Sequence, residues 1–183
     1  MTIIHQPSTL LDFIYEQKRQ GLVVGFVPTM GALHEGHIGL VKNAAASCDV
    51  AVCSIFVNPT QFNDPGDFRK YPNKLENDIK LLAGSGAKVL YLPPVEAIYP
   101  NGVAELENYD LGYLETILEG KYRPGHFQGV CQVMARLLKA VEPDVLFMGQ
   151  KDYQQCMVVK KLLTILGMDV EFVACPTARE EDG

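Results

Sequence analysis

LVVGFVPTMGALHEGH, residues 22–37, is the stretch that best indicates how this chain folds. Its apolar start predicts a buried strand over 22–28, and the helical spacing of apolar residues after it predicts a helix over 36–47. Two imidazoles, those of His34 and His37, therefore lie where a strand passes into the first turn of a helix. Unpaired backbone N–H groups and the positive end of the helix dipole meet at such a position, which binds anions and above all phosphate.

The two histidines allow three interpretations. Residues three apart share one face of a helical turn, so a metal pair is conceivable. The zinc-protease pattern has one more residue between the glutamate and the second histidine, and no cysteine or further histidine stands nearby to complete a tetrahedral site. Alternatively, the rings cap the helix and pack against it. The third interpretation is phosphate binding, which the small residues of the preceding loop favour and in which imidazole N–H groups donate to phosphate oxygens.

The rest of the chain alternates predicted helices and strands. Helices are predicted over 7–20, 74–84, 126–141 and 152–166, with a shorter one near 112–119, and strands over 50–58, 87–93, 144–149 and 168–175. Ser8 and Asn73 are the predicted N-caps of the helices over 7–20 and 74–84. Continuous apolar strands separated by helices are typical of a parallel sheet covered on both faces. The predicted fold class is therefore α/β, with a doubly wound, mostly parallel, Rossmann-like sheet.

Composition excludes several classes of protein. The chain has 183 residues, 48% of them hydrophobic and 21% charged, with a net charge of −6. No basic stripe is present for nucleic acid, and no apolar run is long enough to span a membrane. The N-terminus does not resemble a secretory signal, and the five cysteines form no paired spacing. We therefore expect buried, reduced thiols in a cytoplasmic protein that binds neither nucleic acid nor membranes.

Polar residues follow each predicted strand and should converge, because ligands of such folds bind beyond the carboxyl ends of the strands. The inventory contains imidazoles, amides and a lysine, but neither a serine–histidine–acid set nor a pair of carboxylates. It favours an anionic substrate that is handled by positioning and charge stabilisation. Its members are Thr29, Met30, His34, His37, Asn58, Thr60, Gln61, Gly149, Gln150, Lys151, Asp152, Gln155, Thr177, Ala178 and Arg179.

Five segments, in order and spacing, carry a family resemblance: FVPTMGALHEGH, SIFVNPTQF, YPNG, RPGHFQGV and GQKDYQQ. From about Ile3 to Gly183 the chain resembles the pantoate–β-alanine ligases, which are nucleotidyltransferases with a His-x-Gly-His type signature (the HIGH type). The resemblance implies an ATP-dependent condensation of pantoate with β-alanine through an enzyme-bound pantoyl adenylate. It further implies release of AMP and pyrophosphate, use of Mg²⁺, a cytoplasmic location and a homodimer.

The resemblance also implies roles for individual residues. The ATP loop would run through Met30, Gly31, Ala32, Leu33, His34, Glu35, Gly36 and His37, with His37 as proton donor and His34 on phosphate. A second ATP segment would comprise Gly149, Gln150, Lys151 and Asp152, with Lys151 on the phosphates, and Ala178 would lie at the adenine. Gln61 would contact pantoate and β-alanine, and Gln155 would contact pantoate. His34, His37 and Lys151 are thus the implied catalytic residues.

Each role has a structural alternative. The alternative for Lys151 is a solvated lysine at a helix start, but a cation is unfavourable there, which favours a bound anion. Taken alone, Gln61 and Gln155 are more often surface or loop amides, and Met30, Val130 and Val133 are either a site wall or core. Arg123 and His126 remain open between substrate binding, helix bracing and a subunit interface. Asp78 and Asp152 are acidic candidates near the cleft, and the magnesium ligands stay unknown.

The resemblance bears on domain organisation and leaves other functions open. Residues 1–183 are interpreted as one nucleotide- and pantoate-binding domain, and the smaller C-terminal lid domain of the family is not part of this sequence. We expect such a chain to bind substrates and turn over poorly, because lid closure excludes water. Alternative functions are a nucleotidyltransferase for a phosphorylated acceptor, a tRNA-charging core, and a non-catalytic nucleotide-binding or dimerisation module.

Overall fold

The computed structural model describes residues 1–62, 66, 70–72, 74–103 and 106–183. Its strands are β1 Thr2–Ile4, β2 Val24–Thr29, β3 Val50–Ile55, β4 Val89–Tyr91, β5 Val145–Gly149 and β6 Glu171–Cys175. Its α-helices are α1 Pro7–Arg19, α2 Glu35–Ser47, α3 Leu75–Ala83, α4 Val95–Ile98, α5 Leu118–Tyr122, α6 His126–Val141 and α7 Tyr153–Leu166. Short 3₁₀ turns occupy Pro59–Gln61, Gly112–Glu115 and Gln150–Asp152.

The strands form one sheet in the order β1-β4-β3-β2-β5-β6, and every neighbouring pair is parallel. From β2 the chain moves outward through β3 to β4, and then returns to the other side of β2 as β5. The direction of winding therefore reverses between β2 and β5. In open α/β sheets, ligands bind at the carboxyl ends of the strands beside such a reversal. The predicted α/β class with a doubly wound parallel sheet is confirmed.

Helices cover both faces of the sheet, and adjacent side chains of β2 point to opposite faces. Phe26 belongs to the cluster packed by α1, α6 and α7, whereas Val27 belongs to the cluster packed by α2 and α3. Both side chains are completely buried. Burial on both sides explains why the strand is continuously apolar instead of alternating. At Gly25 a Cβ atom would lie 2.8 Å from the Cys48 sulfur, so the glycine lets the end of α2 pack closely on β2.

Several predicted boundaries were wrong. Gln6, not Ser8, is the N-cap of α1; Pro7 occupies the first helical turn, where its missing N–H costs nothing. The strand predicted over 50–58 ends at Ile55, because the chain turns there to pack against α6. The helix predicted near 112–119 is divided into a 3₁₀ turn and α5. The three-residue β1 was not predicted from the sequence, and the predicted cap Asn73 and parts of the loop over 59–72 lie outside the described residues.

All five cysteines are free and buried, as predicted from their spacing. Burial raises the pKa of Cys53 and Cys131 to about 12, so both are unreactive thiols inside the core. In the described part of the chain, no helix combines the length and apolar character needed to cross a bilayer.

Candidate functional site

One buried carboxylate accepts hydrogen bonds from the backbone of the loop between β2 and α2. Asp78, on α3 and only 1% exposed, accepts hydrogen bonds at 2.8 Å from the backbone N–H groups of both Ala32 and Leu33. Gly31 and Ala32 have φ angles of 84° and 50°, in the left-handed region. This conformation is unfavourable for alanine, and the two bonds to Asp78 are what hold it there. Contacts within the protein therefore hold the loop conformation.

The two predicted histidines form the first turn of α2. His34 is the N-cap residue, and its Nδ1 accepts from the Gly36 N–H at 3.1 Å, while His37 Nδ1 accepts from the His34 N–H at 3.4 Å. The two ring centres are 4.0 Å apart. A neutral imidazole that accepts at Nδ1 carries its proton on Nε2. Both rings thus cap the helix and also retain an Nε2–H group for a ligand, which combines two of the interpretations drawn from the sequence.

His37 is neutral at physiological pH. Burial, followed by the neighbouring His34 ring, lowers its pKa from 6.5 to about 4, and the positive charge of Lys151 acts in the same direction. Asp78 and Asp152 act in the opposite direction and raise this pKa. Without a ligand, His37 is therefore a neutral hydrogen-bond donor and not an imidazolium acid.

The segment after β5 lies near the same helix start. Lys151 and Asp152 are close enough to His37 for their charges to change its pKa. The Lys151 side chain is 76% exposed, and its ammonium donates to the Asp152 carboxylate at 3.1 Å. Ala178, after β6, is near too, because a Cβ at Gly36 would lie 3.9 Å from the Ala178 methyl. Residues following β2, β5 and β6 are thus brought together.

Gln61 joins this group from the end of the β3 segment. Its Nε2 donates to the Met30 sulfur at 2.8 Å, and its Oε1 accepts from Asn58 Nδ2 at 3.1 Å. The backbone carbonyl of Gln61 accepts from His126 Nδ1 at 3.0 Å. Gln61 is therefore a hydrogen-bonded group beside the β2–α2 loop, and not a free surface amide.

Several residues that the sequence left open have structural partners. His126 is 5% exposed and supports the Gln61 backbone; its Nε2 faces Arg123, which is ion-paired with Glu119. Burial lowers the pKa of His126. Asp78 supports the loop, whereas Asp152 pairs with Lys151. Val130 and Val133 are buried in the core cluster that α6 packs, which agrees with the core alternative.

Gln155 and its neighbour Gln154 differ in their side-chain hydrogen bonds. Gln154 accepts from the Glu119 N–H at 3.0 Å and donates to the carbonyls of Leu114 and Ile117, both at 2.9 Å, so it holds the segment before α6. No such bond to the half-buried Gln155 side chain is found among the described residues, which leaves its amide open to a ligand.

The anchoring role of Asp78 was missed from the sequence. Asp78 was recognised there as an acidic candidate, but the helix-start position of an aspartate does not reveal that a distant loop covers it. Within the described ranges, no group of three or more His, Cys, Asp or Glu side chains could hold a metal ion.

Comparison with known proteins agrees with this geometry. The family model of the pantoate-beta-alanine ligases matches residues 2–183. The chain belongs to this family. Pantothenate synthetase of Porphyromonas gingivalis strain W83 is 45% identical over 183 residues, which are all of this chain and 64% of that protein. The chain thus spans 64% of the length of that relative.

Solved structures of pantoate-beta-alanine ligases have the same fold. The Francisella tularensis enzyme, complexed with beta-gamma ATP and beta-alanine, has a TM-score of 0.93 and 43% identity, covering 99% of this chain and 69% of that one. Pantothenate synthetase from Thermus thermophilus has a TM-score of 0.88 and 44% identity, covering 100% of this chain and 64% of that one. The α/β fold with a parallel sheet is therefore the fold of this family.

Proposed function

We propose that residues 1–183 bind ATP and pantoate and take part in the ATP-dependent condensation of pantoate with β-alanine. The observation that carries this proposal is the convergence of His34, His37 and Lys151 at the start of α2. Two imidazole Nε2–H groups, one ammonium and a helix N-terminus form a site suited to a polyphosphate. Family membership supports the substrates, and the Francisella relative was solved with beta-gamma ATP and beta-alanine.

The first proposed step forms pantoyl adenylate. A carboxylate oxygen of pantoate attacks the α-phosphorus of ATP, the bond to the bridging oxygen breaks, and pyrophosphate leaves. Charge grows on the phosphate oxygens during this transfer, and preorganised donors stabilise it. His34 and His37 donate from Nε2, while Lys151 supplies a point charge. The neutral state of His37 suits a donor that becomes protonated as negative charge gathers beside it.

The second proposed step forms the amide. The β-alanine amine attacks the acyl carbon of pantoyl adenylate, AMP leaves, and the amine loses a proton. Gln61 and Gln155 would bind the carboxylate and hydroxyl groups of the substrates, since an amide both donates and accepts. The fixed position of Gln61 beside Met30 supports its role at the junction of the two substrates. We further propose that Gly149, Gln150 and Asp152 line the ATP phosphates and that Ala178 contacts the adenine.

In this proposal magnesium binds together with ATP. The Asp78 carboxylate is a poor fit as a ligand, because it is only 1% exposed and accepts from two loop N–H groups. Asp152 is exposed and is the better-placed carboxylate, although it pairs with Lys151. Mg²⁺ keeps several waters and binds substrate phosphates with few protein ligands, and it would neutralise phosphate charge. Phosphate oxygens and water would therefore supply most of its ligands.

Pantoate-dependent exchange of labelled pyrophosphate into ATP tests the first step. We expect exchange with the chain, ATP and pantoate, and mass-spectrometric detection of pantoyl adenylate when β-alanine is omitted. His37→Ala should abolish exchange, whereas Lys161→Met, an exposed change on α7, should leave it intact. Exchange with a phosphorylated acceptor but not with pantoate would favour the alternative nucleotidyltransferase. Calorimetric binding of ATP without any exchange would favour a non-catalytic nucleotide-binding module.

We also propose that the protein is a cytoplasmic homodimer. Five free, buried cysteines suit a reducing compartment. Tyr113, Leu118 and Tyr122 are 71%, 68% and 80% exposed and offer apolar surface to a second copy. Sedimentation equilibrium should give twice the mass of the chain, and a monomer at micromolar concentration would contradict the dimer.

A further inference from the structure

Tyr99, just after α4, reaches the turn that carries Gln61. Its side chain is 3% exposed, and its hydroxyl donates to Asn58 Oδ1 at 2.7 Å and lies 3.3 Å from Thr60 Oγ1. The Arg136 guanidinium lies 4.9 Å from the ring centre, and Gln132 fixes that guanidinium through its backbone and side-chain oxygens. The ring is thus fixed by the cation, and its hydroxyl is aimed at Asn58.

Asn58 can adopt only one amide orientation in this setting. Its Oδ1 accepts from the Thr60 backbone N–H at 3.3 Å, and its Nδ2 donates to the Gly129 carbonyl at 3.0 Å. A backbone N–H cannot accept and a carbonyl cannot donate, so a flipped amide would lose both bonds. The Tyr99 bond to Oδ1, at 2.7 Å, is the shortest bond to this oxygen and holds the amide in the place that these two backbone groups orient.

The orientation of Asn58 determines that of Gln61. Because Asn58 Nδ2 is a donor, the Gln61 atom facing it must be the oxygen Oε1. The Gln61 amide nitrogen is then directed towards Met30 and the ATP loop. Gln61 therefore presents hydrogen-bond donors, which match a carboxylate or carbonyl oxygen of an anionic substrate.

We propose that Tyr99 is a positioning residue: its hydroxyl holds the Asn58 amide in place, and Asn58 in turn makes Gln61 present its amide nitrogen to the substrate carboxylate. This inference rests on the proposed function, because it takes pantoate as the substrate. Tyr99 itself does not touch the substrate. Arg136 supports the ring from α6, so the arrangement extends from the side of α6 to the end of β3.

The test compares Tyr99→Phe with Tyr109→Phe in the 183-residue chain. Tyr109 is a matched control, since it is 5% exposed and its hydroxyl also donates one 2.7 Å bond, to Glu107. The first measurement needs no ligand: the side-chain amide resonances of Gln61 in nuclear magnetic resonance spectra. We expect them to shift and to exchange faster with solvent in Tyr99→Phe, and to stay unchanged in Tyr109→Phe.

The second measurement is calorimetric affinity for pantoate and for ATP. Tyr99→Phe should weaken pantoate binding about fivefold, the loss expected for one buried hydrogen bond, and leave ATP binding unchanged. In the Gln61→Ala background, Tyr99→Phe should cause no further loss, because the two residues act in one chain of contacts. A merely structural role would instead give the same loss in both backgrounds and would weaken ATP binding as well.

The outcomes separate this inference from the proposed function. Unchanged Gln61 resonances in Tyr99→Phe would overturn the positioning role, whatever pantoate does. Equal losses with and without Gln61 would overturn it too. If the unsubstituted chain fails to bind pantoate, the proposed substrate is wrong, and with it the assignment of Gln61 to that carboxylate. The ligand-free resonances would still decide whether Tyr99 orients Gln61.

Discussion

The β2–α2 loop and the segment from β5 into α7 reach the same edge of the sheet, but they are built differently. The first is tied to buried Asp78 through two backbone N–H groups and ends in a histidine cap. The second carries Lys151 at 76% exposure, with one exposed partner, Asp152. Buried, hydrogen-bonded groups on one side thus face an exposed charge on the other. The first side offers fixed geometry, and the second offers a charge whose side chain can move.

The largest expected effect comes from the support of the rigid loop. Asp78→Asn keeps the size of the side chain but replaces one acceptor oxygen with a donor, so a buried loop N–H loses its partner. We expect the free energy of unfolding to fall by about 3 kcal/mol, because the lost bond involves a charged acceptor. Urea unfolding measures this change.

Asp152→Asn is the matched control for Asp78→Asn. It also removes a carboxylate near the site, but from an exposed pair of the kind that contributes about 0–1 kcal/mol. Equal destabilisation by the two variants would show that the two sides of the site do not differ in rigidity.

The second prediction concerns the protonation of His37. Its pKa in the folded protein is about 4 against an ordinary 6.5, so between these values the unfolded chain binds a proton that the folded chain does not. Stability from this source is complete above pH 6.5 and is lost as the pH falls towards 4. Bound ATP phosphates should reverse the shift and raise the pKa. Nuclear magnetic resonance titration of the ring measures it with and without ATP.

His37→Asn serves as the control in that titration. Asparagine keeps an acceptor near the Nδ1 position for the His34 N–H but does not titrate, so part of the loss of stability below pH 6.5 should disappear. Part of the remaining loss of stability at low pH is due to His126, because burial lowers the pKa of that ring as well. A pKa that ATP leaves unchanged would place the phosphates away from this ring.

The third prediction tests the exposed charge. Lys151→Met should weaken ATP binding about tenfold, the loss expected for one charge-assisted hydrogen bond, with almost no change in stability. Lys161→Met, at an exposed position of α7, should leave ATP affinity unchanged. Calorimetry at two salt concentrations measures both, and the difference between the variants should shrink at high salt. Identical affinities for both variants would contradict a phosphate contact by Lys151.

The smallest effect is expected from one glycine on each side. At Gly36 a Cβ would lie 3.0 Å from His34 Cε1 and 3.1 Å from its Nδ1, whereas a Cβ at Gly149 meets nothing within 4 Å in the described structure. Gly36→Ala should therefore displace the His34 ring and weaken ATP binding about threefold. The same change should raise stability by about 1 kcal/mol, because alanine has the higher helix propensity. A methyl at Gly149 meets no protein atom, so Gly149→Ala should weaken ATP binding less than Gly36→Ala does. A reversed order in calorimetry would contradict the rigid position of His34.

The sequence predicted the sheet and the location of the site because both depend on local patterns. The apolar run before His34 is buried on both faces, and the winding order then brings the residues after β2, β5 and β6 together. What could not be predicted are contacts between residues far apart in sequence. Asp78 lies 45 residues beyond Leu33, and Tyr99 lies 41 beyond Asn58, and no periodicity links such pairs.

Sequence patterns also failed to predict a residue's role where the same residues suit two different roles. An Arg–Pro–Gly–His segment suits substrate binding as well as bracing, and only burial showed that His126 supports the Gln61 carbonyl. Likewise, the sequence does not distinguish Gln154 from Gln155, yet the Gln154 side chain bonds three backbone groups, whereas that of Gln155 bonds none in the described part of the chain. Side-chain direction on a helix decides such cases, and it depends on which neighbour packs alongside.

A crystal structure of this chain with a non-hydrolysable ATP analogue would locate the triphosphate. We expect phosphate oxygens within about 3 Å of His34 Nε2 and His37 Nε2, with the Lys151 ammonium turned from Asp152 towards the phosphates. A triphosphate bound elsewhere, with both imidazoles free and Lys151 still paired with Asp152, would contradict this expectation.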